Sequence, residues 1–255
     1  MNETTKYEKF DVQVSCSLPS DMKCCQLLDM TSMPDGRLLV LDSANSRMKL
    51  LDQNFQVTKY KLVEEGCHSL SSIDSNLVGV LKTDSLYTYG VSGDSMSLEE
   101  KVALTGMHYG IISNQNIFIL IKLVKIEVYD KHISKIGTID FSNVFGKGTM
   151  TPKYLALNDM NHLLFCEEYS QHLICMDIYS NILWNIEIDL LCSGILGFSK
   201  KWIFLAPEGI FDIPAPYNKL TLVLEADVSD KVISCSWNNS RVCICDSLSL
   251  RVFHI

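Results

Sequence analysis

Six short apolar runs recur along the chain, at 38–41, 77–81, 117–120, 163–166, 202–205 and 242–245. With Val40, Val80, Ile119, Phe165, Phe204 and Ile244 taken as equivalent, the steps between them are 40, 39, 46, 39 and 40 residues. Each run follows a turn signal: Pro34-Asp35-Gly36, Asp74-Ser75-Asn76, Ser113-Asn114-Gln115-Asn116, Asn158-Asp159-Met160-Asn161, Ser199-Lys200-Lys201 and Asn238-Asn239-Ser240. Asn, Asp and Gly tolerate the left-handed or Asx-turn backbone that a tight hairpin needs. One apolar segment precedes each turn (Tyr154-Leu155-Ala156-Leu157), and one or two follow the main run (Ile126-Glu127-Val128-Tyr129, then Ile136-Gly137-Thr138-Ile139).

Four strands in about 40 residues make one blade of a β-propeller. Seven blades would need about 280 residues, whereas six fit a chain of 255. The expected fold is therefore all-β: one six-bladed propeller of four-stranded antiparallel blades spanning 1–255. The blades fall at approximately 22–62, 63–104, 105–141, 150–189, 190–227 and 228–255. The last repeat ends after its third strand, and the strand-like 7–14 is expected to supply its fourth. Pairing the first segment with the last blade closes the ring and removes a sheet edge.

Hydrophobic residues make up 47% of the chain and charged residues 20%, enough for a full core and unlike a disordered chain. The formal net charge of −8 argues against nucleic acid as the main ligand, because phosphate contacts demand a basic footprint. Most of the ten cysteines alternate with apolar residues in strand-like runs, as in Cys243-Ile244-Cys245. There they read as small buried hydrophobes in a reducing compartment. The polar opening 1–6 carries no apolar leader and no run is long enough to span a bilayer, so the expected location is cytoplasmic, without membrane contact.

The first blade carries the most specific text, from Asp35-Gly36-Arg37 through Leu38-Leu39-Val40-Leu41-Asp42 to Asn45-Ser46-Arg47-Met48-Lys49-Leu50-Leu51-Asp52. It resembles an NHL repeat: Gly, an apolar strand, Asp, Asn-x-Arg and a second apolar strand. The last blade echoes it with Asp246 and Arg251, and the fourth with Glu167, His172 and Asp177, ten residues after Glu167 as Asp52 follows Asp42. The second and fifth blades depart from the pattern. As a whole, the chain is similar to the C-terminal NHL-type propellers of tripartite-motif ubiquitin ligases, of a divergent invertebrate kind. That resemblance implies a module recognising a protein substrate or partner, with RNA hairpins as the alternative ligand. No Cys-x2-Cys pair exists, so this chain by itself is not expected to be a RING-type ligase.

Two sets of candidate contact residues follow. Arg47, Lys125, His172 and Arg251 flank the turns between second and third strands and could line one rim, although Asp42, Glu167, Glu168 and Asp246 share those turns and would offset their charge. The Asp42/Arg47 and Asp246/Arg251 pairs read first as structural ion pairs of a repeated turn. Loops entering the innermost strands cluster on the same face and offer His68, His108, Tyr109, Lys153 and Tyr154. Exposed loops on a rigid scaffold are where propellers bind.

Enzyme readings fare worse. A calcium-dependent lactonase of the six-bladed kind needs oxygen ligands converging on the axis, but Asn114, Asn158, Asp159, Asn238 and Asn239 fall in the opposite turns. Cys243 and Cys245 share a strand face with Cys235 nearby, yet no further pair completes a zinc tetrahedron. There is no Gly-x-Ser-x-Gly, and Gly146-Lys147-Gly148-Thr149 lacks the upstream glycine of a phosphate loop. The expectation is a non-catalytic platform with no catalytic residues, no metal and no cofactor, binding a protein partner and itself monomeric.

Overall fold

The computed structural model describes residues 12–114, 116–141, 152–167, 172–198, 201–214, 219–225, 234–238, 241–245 and 249–254. It contains six four-stranded antiparallel sheets arranged as a propeller. The first strands of the blades are Leu27–Ser32, Cys67–Ser72, Gly110–Ser113, Pro152–Leu157, Gly194–Phe198 and Ser234–Asn238. These innermost strands pack against one another around the axis. Blade six is completed from the far end of the chain. Val12–Val14 pairs antiparallel with Leu250–His254, in the register Val12↔Val252, Gln13↔Arg251 and Val14↔Leu250.

The core lies between the blades. Successive side chains on a strand point to opposite faces, so each second strand serves two interfaces at once. Leu39 and Leu41 meet Val78, Val80, Tyr87 and Tyr89 of blade two. Leu38 and Val40 meet Cys243, Cys245 and Val252 of blade six, together with Val14 of the closing strand. Because both faces are buried, the second strands read as unbroken apolar runs rather than as alternating ones.

These interfaces correct the repeat register in blade three. Leu120 packs toward blade two with Leu81 and Leu86, as Val40 packs toward the blade before its own, whereas Ile119 faces Leu163 and Phe165 of blade four. The residue equivalent to Val40 is therefore Leu120. An all-apolar run conceals which face each residue takes.

Polar latches tie the inner strands. An Asp29 carboxylate oxygen accepts from the Ser69 hydroxyl at 2.6 Å and the Leu70 amide at 2.8 Å. The Ser69 oxygen in turn accepts from the Ile111 amide at 3.2 Å, so blades one, two and three are linked in series. At Gly197 two inner strands approach closely, since a Cβ there would lie 2.8 Å from the Leu157 carbonyl oxygen and 2.6 Å from the Trp202 ring.

Turn chemistry accounts for the repeated aspartates. Asp52, Asp130 and Asp177 each accept two backbone N–H groups through one carboxylate oxygen at 2.8–2.9 Å. Each is followed three residues later by a left-handed residue, Phe55, Ile133 or Ser180. These Asx turns join third to fourth strands. Asn114 and Asn158 do the same in the first hairpins, where their side chains are buried.

Candidate functional site

One face of the ring carries the turns between second and third strands and the loops that enter each inner strand. Beneath it lie two buried clusters of charge. The first centres on Lys49, in the third strand of blade one, Arg47–Leu51. Lys49 stands directly across the ladder from Val40 and its side chain is fully buried. A lone ammonium there would be untenable. Its Nζ lies 2.6 Å from Asp21, 2.7 Å from Asp42, 2.8 Å from the Cys16 carbonyl and 3.0 Å from the Cys25 sulfur. An ammonium has three protons, which the three oxygens take. The Cys25 thiol then donates to Asp42, 3.0 Å away.

Burial alone would raise the Asp42 carboxyl, but hydrogen bonds from Lys49, Cys25, the Gln26 amide and Asn45 bring it down to about 2. Burial pushes the Cys25 thiol up to about 11 against the pull of Lys49, and the Cys16 thiol up to about 12. Asp21, Cys25 and Asp42 are close enough together to hold a metal ion. The space between them is taken by the Lys49 ammonium, so the cation of this site is supplied by the chain itself.

The cluster is also a clasp. Residues 15–26 run from the closing strand to the first inner strand, and the blade-one turn grips them. Arg47 reaches Asp21 at 2.5 Å and the Ser20 hydroxyl and carbonyl at 2.9 Å, with its guanidinium 4.2 Å over the Tyr60 ring. Asn45 bonds the backbone of Met22 and Lys23. The expected Asp42–Arg47 ion pair is thus corrected. The two are ladder partners, but Asp42 pairs with Lys49 and Arg47 with Asp21.

The second cluster centres on Glu127, in Lys125–Asp130 of blade three. One carboxylate oxygen accepts from Lys122 at 2.9 Å and Lys135 at 2.8 Å, and the other meets Tyr129 at 3.1 Å and His108 at 3.2 Å. Burial opposes the charge, but Lys135, Lys122, His108 and Tyr129 hold the carboxyl well below the ordinary range.

The nine candidate contact residues divide accordingly. Tyr109 is exposed and His68 half-buried at their loops, while Tyr154 is half-buried against the core between blades four and five. His108 is buried against Glu127, which corrects its placement as a surface contact. The side chains of Lys153 and Glu167, and Glu168 and Asp246 of the rim argument, lie outside the described residues. Arg47, Lys125 and His172 begin the third strands of blades one, three and four at equivalent positions. Arg251 does not. It lies across from Ile244 as Lys49 lies across from Val40, so it is the blade-six counterpart of Lys49 rather than of Arg47. Its guanidinium is 5.2 Å from the Phe253 ring. Lys49 and Glu127 are the residues that reasoning from motifs passes over. Their signal is a charge at an inward position of an otherwise apolar strand.

Large exposed hydrophobic side chains are unevenly spread. Among the described residues Met22, Met107, Tyr109, Leu123 and Leu191 lie on the clustered face, in loops before, within or between blades. The opposite face has Met160 and Tyr179, and the others lie on outer strands. Tyr109 and Leu123 adjoin, because the Tyr109 amide donates to Ile121 at 2.8 Å and Lys122 reaches the Thr105 carbonyl at 2.8 Å.

No protein-family model and no curated protein matches this chain. Among solved structures it is similar to U3-55K, with a TM-score of 0.70 and 5% identity over 96% of this chain and 98% of that one. The WD40 repeats of RRP9 give a TM-score of 0.70 and 5% identity, covering 96% and 97% of the two chains. A streptogramin B lyase gives 0.63 and 10% identity, over 96% and 97%. A catalytically inactive virginiamycin B lyase from Staphylococcus aureus, with quinupristin, gives 0.63 and 12% identity, over 97% and 89%. At such identities the likeness establishes the fold: this chain is a six-bladed β-propeller. The same general architecture is home to repeat modules and to lyases, so function has to be argued from this chain's own surface.

Proposed function

We propose that this propeller is a non-catalytic recognition module that binds a protein partner through the face bearing the inter-blade loops. The observation that carries this reading is the placement of exposed apolar side chains, with five in the loops of that face against two on the other among the described residues. Exposed apolar groups gathered on one surface mark protein interaction sites. The buried ionisable groups beneath the face support the same reading. Lys49 and Glu127 are each enclosed by partners of opposite charge or by hydrogen-bonding groups, which makes them scaffold rather than acid–base machinery.

The finer reading is an NHL-type propeller of the tripartite-motif kind, serving as the substrate-recognition part of a ubiquitin ligase. It rests on the blade-one sequence, whose Asp42, Asn45 and Arg47 all act in the clasp. The nine described cysteines are free thiols, seven of them buried, which supports a reducing, cytoplasmic setting. The net charge of −8 favours protein over RNA.

The test is affinity capture with the full chain, followed by capture with Met22, Tyr109, Leu123 and Leu191 all changed to serine. A partner lost on this variant, but retained when Met160 and Tyr179 are changed instead, supports the assignment. The reverse pattern overturns it, as does salt-sensitive retention of structured RNA at low protein concentration.

A further inference from the structure

The Lys49 cluster holds one contact that an ion pair does not require. Three oxygens already satisfy the three ammonium protons, yet the Cys25 sulfur also lies 3.0 Å from Nζ, and both residues are buried. One oxygen of Asp42 touches both groups, Lys49 at 2.7 Å and the Cys25 thiol at 3.0 Å. Nitrogen and sulfur are therefore held together against one carboxylate oxygen before any reaction. Nothing in the ring-closing role of Lys49 calls for a thiol at this point.

We propose that Lys49 and Cys25 form an oxidative modification site, in which one oxygen atom from dioxygen bridges Nζ and Sγ. The ammonium, which its hydrogen bonds to Asp21 and Asp42 hold protonated above its ordinary range despite burial, first gives up one proton to solvent, leaving the amine. The thiol S–H and one amine N–H then break, and S–O and N–O bonds form. Dioxygen accepts four electrons, two from sulfur and two from nitrogen. One of its oxygen atoms enters the bridge, and the other leaves as water with the two hydrogens.

Competing thiol chemistry is suppressed by the same surroundings. Burial keeps the Cys25 thiol protonated up to about 11, and a protonated thiol is a poor nucleophile toward disulfides and peroxide. The bridge would join the strap 15–26 covalently to the third strand of blade one. It would turn a clasp made of hydrogen bonds into one that opens only on reduction.

The test compares the full chain kept anaerobic with reductant against the same protein in air-saturated buffer, by intact mass. A bridge adds about 14 Da, one oxygen less two hydrogens, and dithiothreitol reverses it, unlike the higher oxidation states of cysteine. Trypsin should then yield peptide 24–37 linked to peptide 48–59, because a bridged Lys49 is not a cleavage site. Cys25→Ser, which keeps a hydroxyl for Asp42, should abolish the gain, and Cys24→Ser should preserve it. An unchanged mass overturns the proposal. So does a gain of about 16 or 32 Da confined to cysteine, or a loss of about 2 Da from a Cys16–Cys25 disulfide.

Discussion

Lys49 and Glu127 occupy the same place in two different blades with opposite charge. Each stands directly across the ladder from the second-strand residue that faces the preceding blade, Val40 for Lys49 and Leu120 for Glu127. Each is also joined to the residue two places further along that second strand, Asp42 or Lys122. One position thus accepts either sign, provided that its neighbours carry the other. Tyr87, Ile174, Phe211 and Arg251 fill the same position in the remaining blades.

Removing Lys49 should therefore be costly. Lys49→Met leaves the Asp42 and Asp21 carboxylates without their ammonium, and breaking a buried pair in this way costs about 3–5 kcal/mol. Urea denaturation should show that loss, and Lys49→Met combined with Asp42→Leu should recover part of it. Equal stability of the single variant and the parent would contradict the clasp.

Acid should open the same cluster. The folded Asp42 carboxyl titrates at about 2, below its ordinary 3.8, and Glu127 is likewise depressed. A depressed carboxyl contributes stability that is fully present above the ordinary carboxylate range and lost as pH falls through it toward the folded value. The urea midpoint should be flat near neutrality and drop between about pH 4 and 2. Asp42→Asn should reduce the steepness of that drop, and an unchanged slope would remove Asp42 from the account.

Two glycines offer a sterically matched pair. Gly197→Ala drives a methyl group into the Leu157 carbonyl and the Trp202 ring, and overpacking of this kind costs about 1–3 kcal/mol. Gly137→Ala meets only Val128, at 4.0 Å, and should be tolerated. Thermal unfolding of the two variants decides whether close approach of the inner strands, rather than glycine content, sets the requirement.

Glu127 holds the blade-three loop as Asp42 holds the strap. Glu127→Ala should leave His108 buried beside Lys122 without its acceptor, at a cost of about 1–3 kcal/mol. The Tyr109 loop should loosen with it, which amide exchange over 104–110 would detect as faster deuterium uptake.

The number of blades and the closing partner strand were legible because spacing carries them. Runs at regular steps, with Asn, Asp and Gly between them, admit few other architectures. Individual faces were not legible. The run Ile117-Phe118-Ile119-Leu120 is apolar throughout and buried on both sides, so nothing local separates Ile119 from Leu120. The charged clusters escaped for a related reason. Lys49 finds Asp21 and the Cys16 carbonyl 28 and 33 residues away, across a strap that sequence spacing does not position. His108, taken from its loop as a surface residue, is buried because Glu127 provides an acceptor 19 residues on.

Ring closure also governs the order in which this molecule can be completed. Val12 pairs with Val252, 240 residues later, so the strand made first waits for the strand made nearly last. Until then, the interface where Val40 meets Cys243 and Cys245 has only one side. Contacts of such long separation are the slow ones to form, and the unfinished edge is open to other chains meanwhile. On a ribosome, the five earlier blades can collect their inner strands in sequence, but the ring seals only once residues 250–254 have left the exit tunnel.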